Sequence, residues 1–187
     1  KVPMLNRHIR ALSERLVQGE LLTHNMLSWA KQHVEWSLAE GDYTAHDGVL
    51  MLVIDINGNA AMTVGEYEPL ADTSAKALRA RSAEARSEAD ETGVAPELLA
   101  AVNNGELAFV APADECLCGT ATLIEQLAQT KGIPVTRVDI PAQLKGALFL
   151  VSDEHGVVPA TETDAAEADA ATVAFFVDGY EKLRARR

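Results

Sequence analysis

The segment Glu115-Cys116-Leu117-Cys118-Gly119-Thr120-Ala121-Thr122 holds the residues best suited to chemistry in this sequence. A small, hydroxyl-rich turn that opens a helix leaves the first backbone N–H groups unbonded, and with the helix dipole they favour an anion such as a phosphate. Gly-Thr-x-Thr also makes an ordinary helix N-cap, so the segment alone leaves both readings open. The second candidate runs from Phe149 to Pro159, where an apolar stretch stops in Ser152, Asp153, Glu154 and His155 before Gly156. Polar groups at the end of a buried strand are where α/β folds place ligands, although a plain turn has the same composition. Cys118 offers a third chemistry, because a helix start lowers a thiol pKa; His155 would have to approach it in the fold to act as its base. Cys116 and Cys118 are one residue apart, too close for an ordinary disulfide and without the second pair that zinc requires. Two free thiols in a reducing compartment and no metal are expected.

The elements that must position these segments can be read from periodicity. With 187 residues, 48% of them hydrophobic, the chain can bury a real core as one domain over 1–187. Its net charge of −12 repels nucleic acid and anionic membranes on average, and no apolar run approaches the ~20 residues of a bilayer span, so a cytoplasmic protein is expected. Leu5, Ile9, Leu12 and Leu16 predict an amphipathic helix over 4–17 that Gly19 ends. A second helix is expected over 25–40, stopped by Gly41, with His33 as a partly buried packing residue. The apolar run 49–54, the turn Asp55 to Asn59 with its Asn57-Gly58 pair, and 60–64 predict a hairpin with one strand largely buried. Residues 73–92, rich in Ala, Arg and Glu, predict an exposed helix laced by Arg81, Glu84 and Glu88. A short helix over 97–102, a strand over 107–110, a helix over 122–130 and strands over 135–140 and 147–151 follow, with extended chain resuming at 157–158. A last helix spans 173–186 after the acidic, alanine-rich stretch 162–172.

In their order and separation, the two chemical segments resemble the class IV aminotransferases and aminodeoxychorismate lyase, the fold type IV pyridoxal-phosphate enzymes. In that family a Leu-x-Gly-(Ile/Thr)-x-(Arg/Thr) turn holds the cofactor phosphate at a helix start, and here Leu117, Gly119, Thr120 and Thr122 stand at its positions. Ile124-Glu125-Gln126-Leu127-Ala128 and Gly132-Ile133-Pro134-Val135 are similar to the family's next helix and its exit. Phe149-Leu150, Ser152, Gly156-Val157 and Pro159 resemble the lyase-like Phe-Leu-x-Asn-Ser-x-x-Gly-Val-x-Pro stretch. The hairpin around Asp55-Ile56-Asn57-Gly58 and the early Leu5-Asn6-Arg7-His8-Ile9-Arg10-Ala11-Leu12 are similar to further family elements. The resemblance implies an α/β or α+β fold with a mixed sheet and helices, like the family's large cofactor domain. In it 1–20 would be a remnant of the N-terminal helix region, 24–187 the large domain and 72–104 a helical insertion. It implies pyridoxal phosphate held by Gly119, Thr120, Ala121, Thr122, Ser152 and Asp153. The chemistry implied is transfer or elimination of the amino group of a small amino acid or amine, in a homodimer.

Three departures bear on activity. The family's Schiff-base lysine precedes an Asn-Tyr-Leu-like helix start; Asn25-Met26-Leu27 fits that start, but Leu21, Leu22, Thr23 and His24 precede it, and the nearest lysine is Lys31 on the helix itself. The pyridine-nitrogen carboxylate falls at Met62, with Glu66 or Glu68 as substitutes only if the strand bulges. The small domain between the early helix and the lysine is nearly absent. A cofactor-less homologue that binds an anion or a partner chain, through the 73–92 helix and the aromatic C-terminal helix, accounts for the missing lysine.

Overall fold

The computed structural model describes residues 2–41, 48–92, 97–139, 141, 144–162 and 164–185. Its central strand, β5, is Leu98–Asn103, and the sheet is built around it. Side chains alternate along a strand, so Leu98, Ala100 and Val102 face one layer while Leu99 and Ala101 face the other; all five are buried. Numbered in chain order, the elements before β5 are α1 (Leu5–Ser13), β1 (Leu16–Val17), β2 (Glu20–Leu21), α2 (His24–Glu40), β3 (Gly48–Ile54), β4 (Ala60–Glu66) and α3 (Ala75–Thr92). After it come β6 (Glu106–Val110), α4 (Gly119–Thr130), β7 (Val135–Val138), β8 (Ala147–Ser152), β9 (Gly156–Pro159) and α5 (Glu167–Arg184).

The five-stranded sheet has the order β7-β6-β5-β8-β9, and only the β6–β7 pair, joined through α4, is parallel. The mixed sheet with helices matches the expected fold class. One face packs against α4 and α5, where Phe109 and Phe149 meet Ile124, Val173 and Phe176. The other face packs against α3 through Leu78, Leu99, Leu148 and Leu150. Two small antiparallel ladders, β1–β2 and β3–β4, stand apart from this sheet. They are tied to each other by Gln18, whose N–H donates to Ile56 O and whose side-chain amide donates to Asn57 O.

Several expectations need correction. Residues 97–102 are not a helix: leucine and alanine favour helices in isolation, but burial on both sheet faces removes the polar alternation that marks a strand. The Asn103-Asn104-Gly105 stretch is the turn of the β5–β6 hairpin, with positive φ at Asn104 and Gly105. The 72–104 segment is therefore no helical insertion, since it contains the central strand, and α3 buries Leu78 completely. Gly19 does not stop α1, which ends at Ser13; it turns the β1–β2 ladder at φ 82. In the β3–β4 hairpin, Ile54 is the buried residue of β3, so that strand is far more open than expected. α5 starts inside the acidic stretch, where Glu167 and Asp169 sit in the first turn and suit the helix dipole. Ile140 and Arg186, expected at element ends, lie outside the described residues.

Phe149 is wholly buried against Phe176, whereas Trp36 on α2 is 59% exposed. Chemical denaturation should show Phe149→Ala losing about 3–5 kcal/mol. Trp36→Ala should stay within about 0.5 kcal/mol of the parent.

Candidate anion-binding site

Helix α4 begins three residues earlier than expected, with Gly119 to Thr122 as its first turn rather than a turn before it, and Cys118 at the N-cap accepts no side-chain capping hydrogen bond. The free N–H groups have nevertheless found an anion inside the chain. Asp153, in the turn between β8 and β9, accepts from Gly119 N at 3.2 Å and from Thr120 N at 2.7 Å. His8 of α1 places Nδ1 3.1 Å from the same carboxylate. Gly119 is required for this approach, because a Cβ there would lie 2.5 Å from the His8 ring nitrogen. Burial alone would raise the Asp153 carboxyl; the His8 hydrogen bond and charge, together with Thr120, outweigh it and bring the group down to about 2. An ionised carboxylate only accepts, so His8 Nδ1 carries the bridging proton. The Thr120 hydroxyl, wholly buried, faces this carboxylate without completing a hydrogen bond to any described group.

The structure brings together Gly119, Thr120 and Asp153 of the expected cofactor residues. Ala121 is buried beside them, and Thr122 Oγ1 donates to Gly119 O while accepting from Arg7 Nη1. Ser152 turns away: its hydroxyl donates to Glu97 Oε1 at 2.7 Å and accepts from the N–H groups of Glu154 and His155. That hydroxyl belongs to a second polar cluster, in which Arg81 joins Glu97 at 2.5 Å and donates to His155 Nε2 at 2.9 Å. Burial and Arg81 hold His155 below the ordinary histidine range, so its Nδ1–H is free to face Tyr67 Oη at 3.4 Å. Glu97, Glu154 and His155 have the spacing of metal ligands, but the Arg81 cation already lies between Glu97 and His155. His8, Arg7, Glu97 and Arg81 were not singled out from sequence as site residues. Only His8 carried a signal, as the histidine of the early helix motif.

Lys31 lies elsewhere, lining a groove with Val2 to Asn6, Val34, Leu38 and Leu183. Among the described residues, no lysine bonds the start of α4 or lines the cleft beside it. The β3–β4 register runs unbroken from Gly48–Glu66 to Ile54–Ala60, so no bulge brings Glu66 or Glu68 to the place of Met62. Cys118 is no nucleophile, since burial, then the Asp153 charge, push its thiol well above the usual range. Pyridoxal phosphate therefore does not fit the residues present as it would an enzyme of this kind. Its phosphate would have to displace Asp153, and among the described residues neither a Schiff-base lysine nor a carboxylate for the ring nitrogen is in place.

The architecture is that of the fold type IV aminotransferases. A branched-chain amino acid aminotransferase from Thermobaculum terrenum, in its PLP form, superposes with TM-score 0.55 at 16% identity, covering 99% of this chain and 80% of that one. A fold IV transaminase from Curtobacterium pusillum gives TM-score 0.54 at 17% identity, with 98% and 82% covered. The PLP-bound form of a hypothetical aminotransferase from Mycobacterium tuberculosis gives 0.54 at 12% identity, with 96% and 84% covered. No family model matches the sequence, and no curated protein does. Among the described residues no helix is long and apolar enough to cross a membrane.

Because Asp153 is held at about 2 against an ordinary 3.8, its contribution to stability is full above pH 3.8 and is lost as the pH falls through 2. Its side chain is 41% exposed, so solvent screening reduces the gain to about 1 kcal/mol. Asp153→Asn should lower the unfolding free energy by that amount at neutral pH, and the gap to the parent should close between pH 3.8 and 2. Thiol titration should separately find Cys116 reactive in the folded protein and Cys118 reactive only after unfolding.

Proposed function

We propose that this protein is a fold type IV aminotransferase relative that has kept the anion-binding start of α4 and works without a covalently held cofactor, as a binding module. The observation that carries the reading is the Asp153 carboxylate seated on Gly119 N and Thr120 N, where an external phosphate would otherwise go. The lack of a lysine at this site among the described residues supports the same reading. Self-association belongs to the proposal as well. The exposed large apolar side chains Leu16, Leu21, Met26, Trp29, Trp36, Met51 and Ile56 all fall between residues 16 and 56, and a second copy of the chain would cover them.

A second reading is that the chain is a pyridoxal-phosphate enzyme moving the amino group of a small amino acid or amine. It is favoured by the fold and by the buried Thr120 hydroxyl, a donor left over beside the cradle. When bound, that cofactor supplies an electron sink at the substrate's α-carbon. Of this chain's residues, Gly119, Thr120 and Thr122 would hold its phosphate once Asp153 had swung out.

Incubation with pyridoxal phosphate, borohydride reduction and peptide mapping separates the two. The expected result is no Schiff-base absorption and no stoichiometric label on any one lysine. A visible band trapped on one lysine would establish the enzyme and overturn the binding-module reading.

A further inference from the structure

The α4 start is internally satisfied, but the cleft beside it is not. Arg7 and Arg10 on α1 and Glu14 at its C-cap face Glu115, Cys116, Thr122, Glu125 and Arg137 across a cavity of about 430 Å³, within the size range of small-ligand pockets. Arg7 and Arg10 are three residues apart on one helix, so their side chains lie on the same face and repel. Neither forms an ion pair among the described residues. Arg7 donates only to neutral groups, Thr122 Oγ1 at 3.2 Å and Gln126 Oε1 at 2.6 Å. Burial, then the Arg10 charge, hold its guanidinium below the ordinary value. Arg137, on the opposite wall, spends one amino group on the carbonyls of Pro112, Ala113 and Glu115 and likewise has no carboxylate partner among the described residues.

The acidic residues of the cleft decide the size of what can enter. Glu115 is ion-paired with Arg86 through Oε2, while its Oε1 is buried and accepts no hydrogen bond from any described group. Glu14 and Glu125 remain on the walls and form no ion pair with the arginines. A long polyanion would meet these carboxylates as well as the overall charge of −12, whereas a compact one can sit between the guanidiniums alone. A guanidinium has five N–H donors, so Arg7 retains free ones after its two contacts, and Arg10 retains all of its own.

We propose that this cleft binds a small, doubly charged oxyanion, a dicarboxylate or a phosphate, between the guanidiniums of Arg7 and Arg10. The site is separate from the α4 N–H groups that Asp153 occupies, so it stands whichever way the pyridoxal-phosphate experiment falls. Isothermal titration of the full chain with succinate, and separately with inorganic phosphate, in buffer matched with sodium chloride for ionic strength, tests it. Saturable binding of either is expected, and which of the two binds tells the sources apart. Arg10→Gln removes a side chain that bonds no other described residue and should weaken that binding about tenfold or more. Arg7→Gln should do the same, while Lys182→Gln, far along α5 and paired with Asp178, should leave it unchanged. The proposal is overturned if neither probe binds saturably, if both arginine variants bind as the parent does, or if binding arises only once Asp153→Asn frees the helix start.

Discussion

A carboxylate on the first two N–H groups of α4 is the contact on which the rest of this site depends. It joins three pieces that are remote in sequence: the β8–β9 turn that carries Asp153, the helix that offers the N–H groups, and α1, which is brought in by His8. Helix starts need a partner for these donors, and side-chain caps usually come from the preceding residue; Cys118 cannot supply one. Asp153 does so from across the sheet, and in doing so it fixes where α1 lies. That placement in turn puts Arg7 on Thr122 and Gln126 and opens the cleft between α1 and the 115–125 segment.

Behind this contact lies a second one that holds the turn itself. Ser152 ends a strand buried over its whole length, and its hydroxyl is bonded to Glu97 and to two backbone N–H groups of the turn. Glu97 stands just before β5 and is paired with Arg81 of α3. A carboxylate this close to the core is costly unless it is paired and hydrogen-bonded, and here both conditions hold. The network therefore does for the β8–β9 turn what packing does for the sheet. It holds the turn that carries Asp153, and it withholds Ser152 from any ligand there.

How much of this was legible in the sequence follows from what each element buries. The helices α2 and α4, the β3–β4 hairpin and strands β6 to β8 were readable because caps, turn residues and apolar runs agreed locally. β5 was not, because Leu98 to Val102 are buried on both faces and carry no alternation; the Asn104-Gly105 pair was the one hairpin signal present. α3 looked exposed because its contact with the sheet rests on Leu78 and a few small residues, too narrow a stripe for periodicity to reveal. At the site, the Gly119–Thr122 turn and the 152–156 turn were legible as polar ends of buried elements. That Asp153 fills the first from the second was not, since it depends on a β8–β9 geometry set by Glu97, 55 residues away from Ser152.

The same N–H pair cannot hold a tethered carboxylate and a free phosphate at once, and the competition is unequal. A free ligand loses translational and rotational freedom on binding, at a cost of roughly 4–15 kcal/mol. Asp153 loses almost none, because the folded sheet already holds it beside α4. A phosphate-bearing cofactor overcomes such a competitor when it gains elsewhere, and a covalent bond to a lysine is the largest gain open to pyridoxal phosphate. Where no lysine is at hand, that gain is absent and the internal anion prevails. An aspartate on the cradle and the lack, among the described residues, of a lysine beside it are thus two sides of one balance. The fold can persist unchanged while what it binds does not, since function resides in the site and not in the architecture. On the proposal above, an external anion is then better received in the neighbouring cleft, where Arg7 and Arg10 have charge to share and the wall carboxylates Glu14 and Glu125 form no ion pair with them.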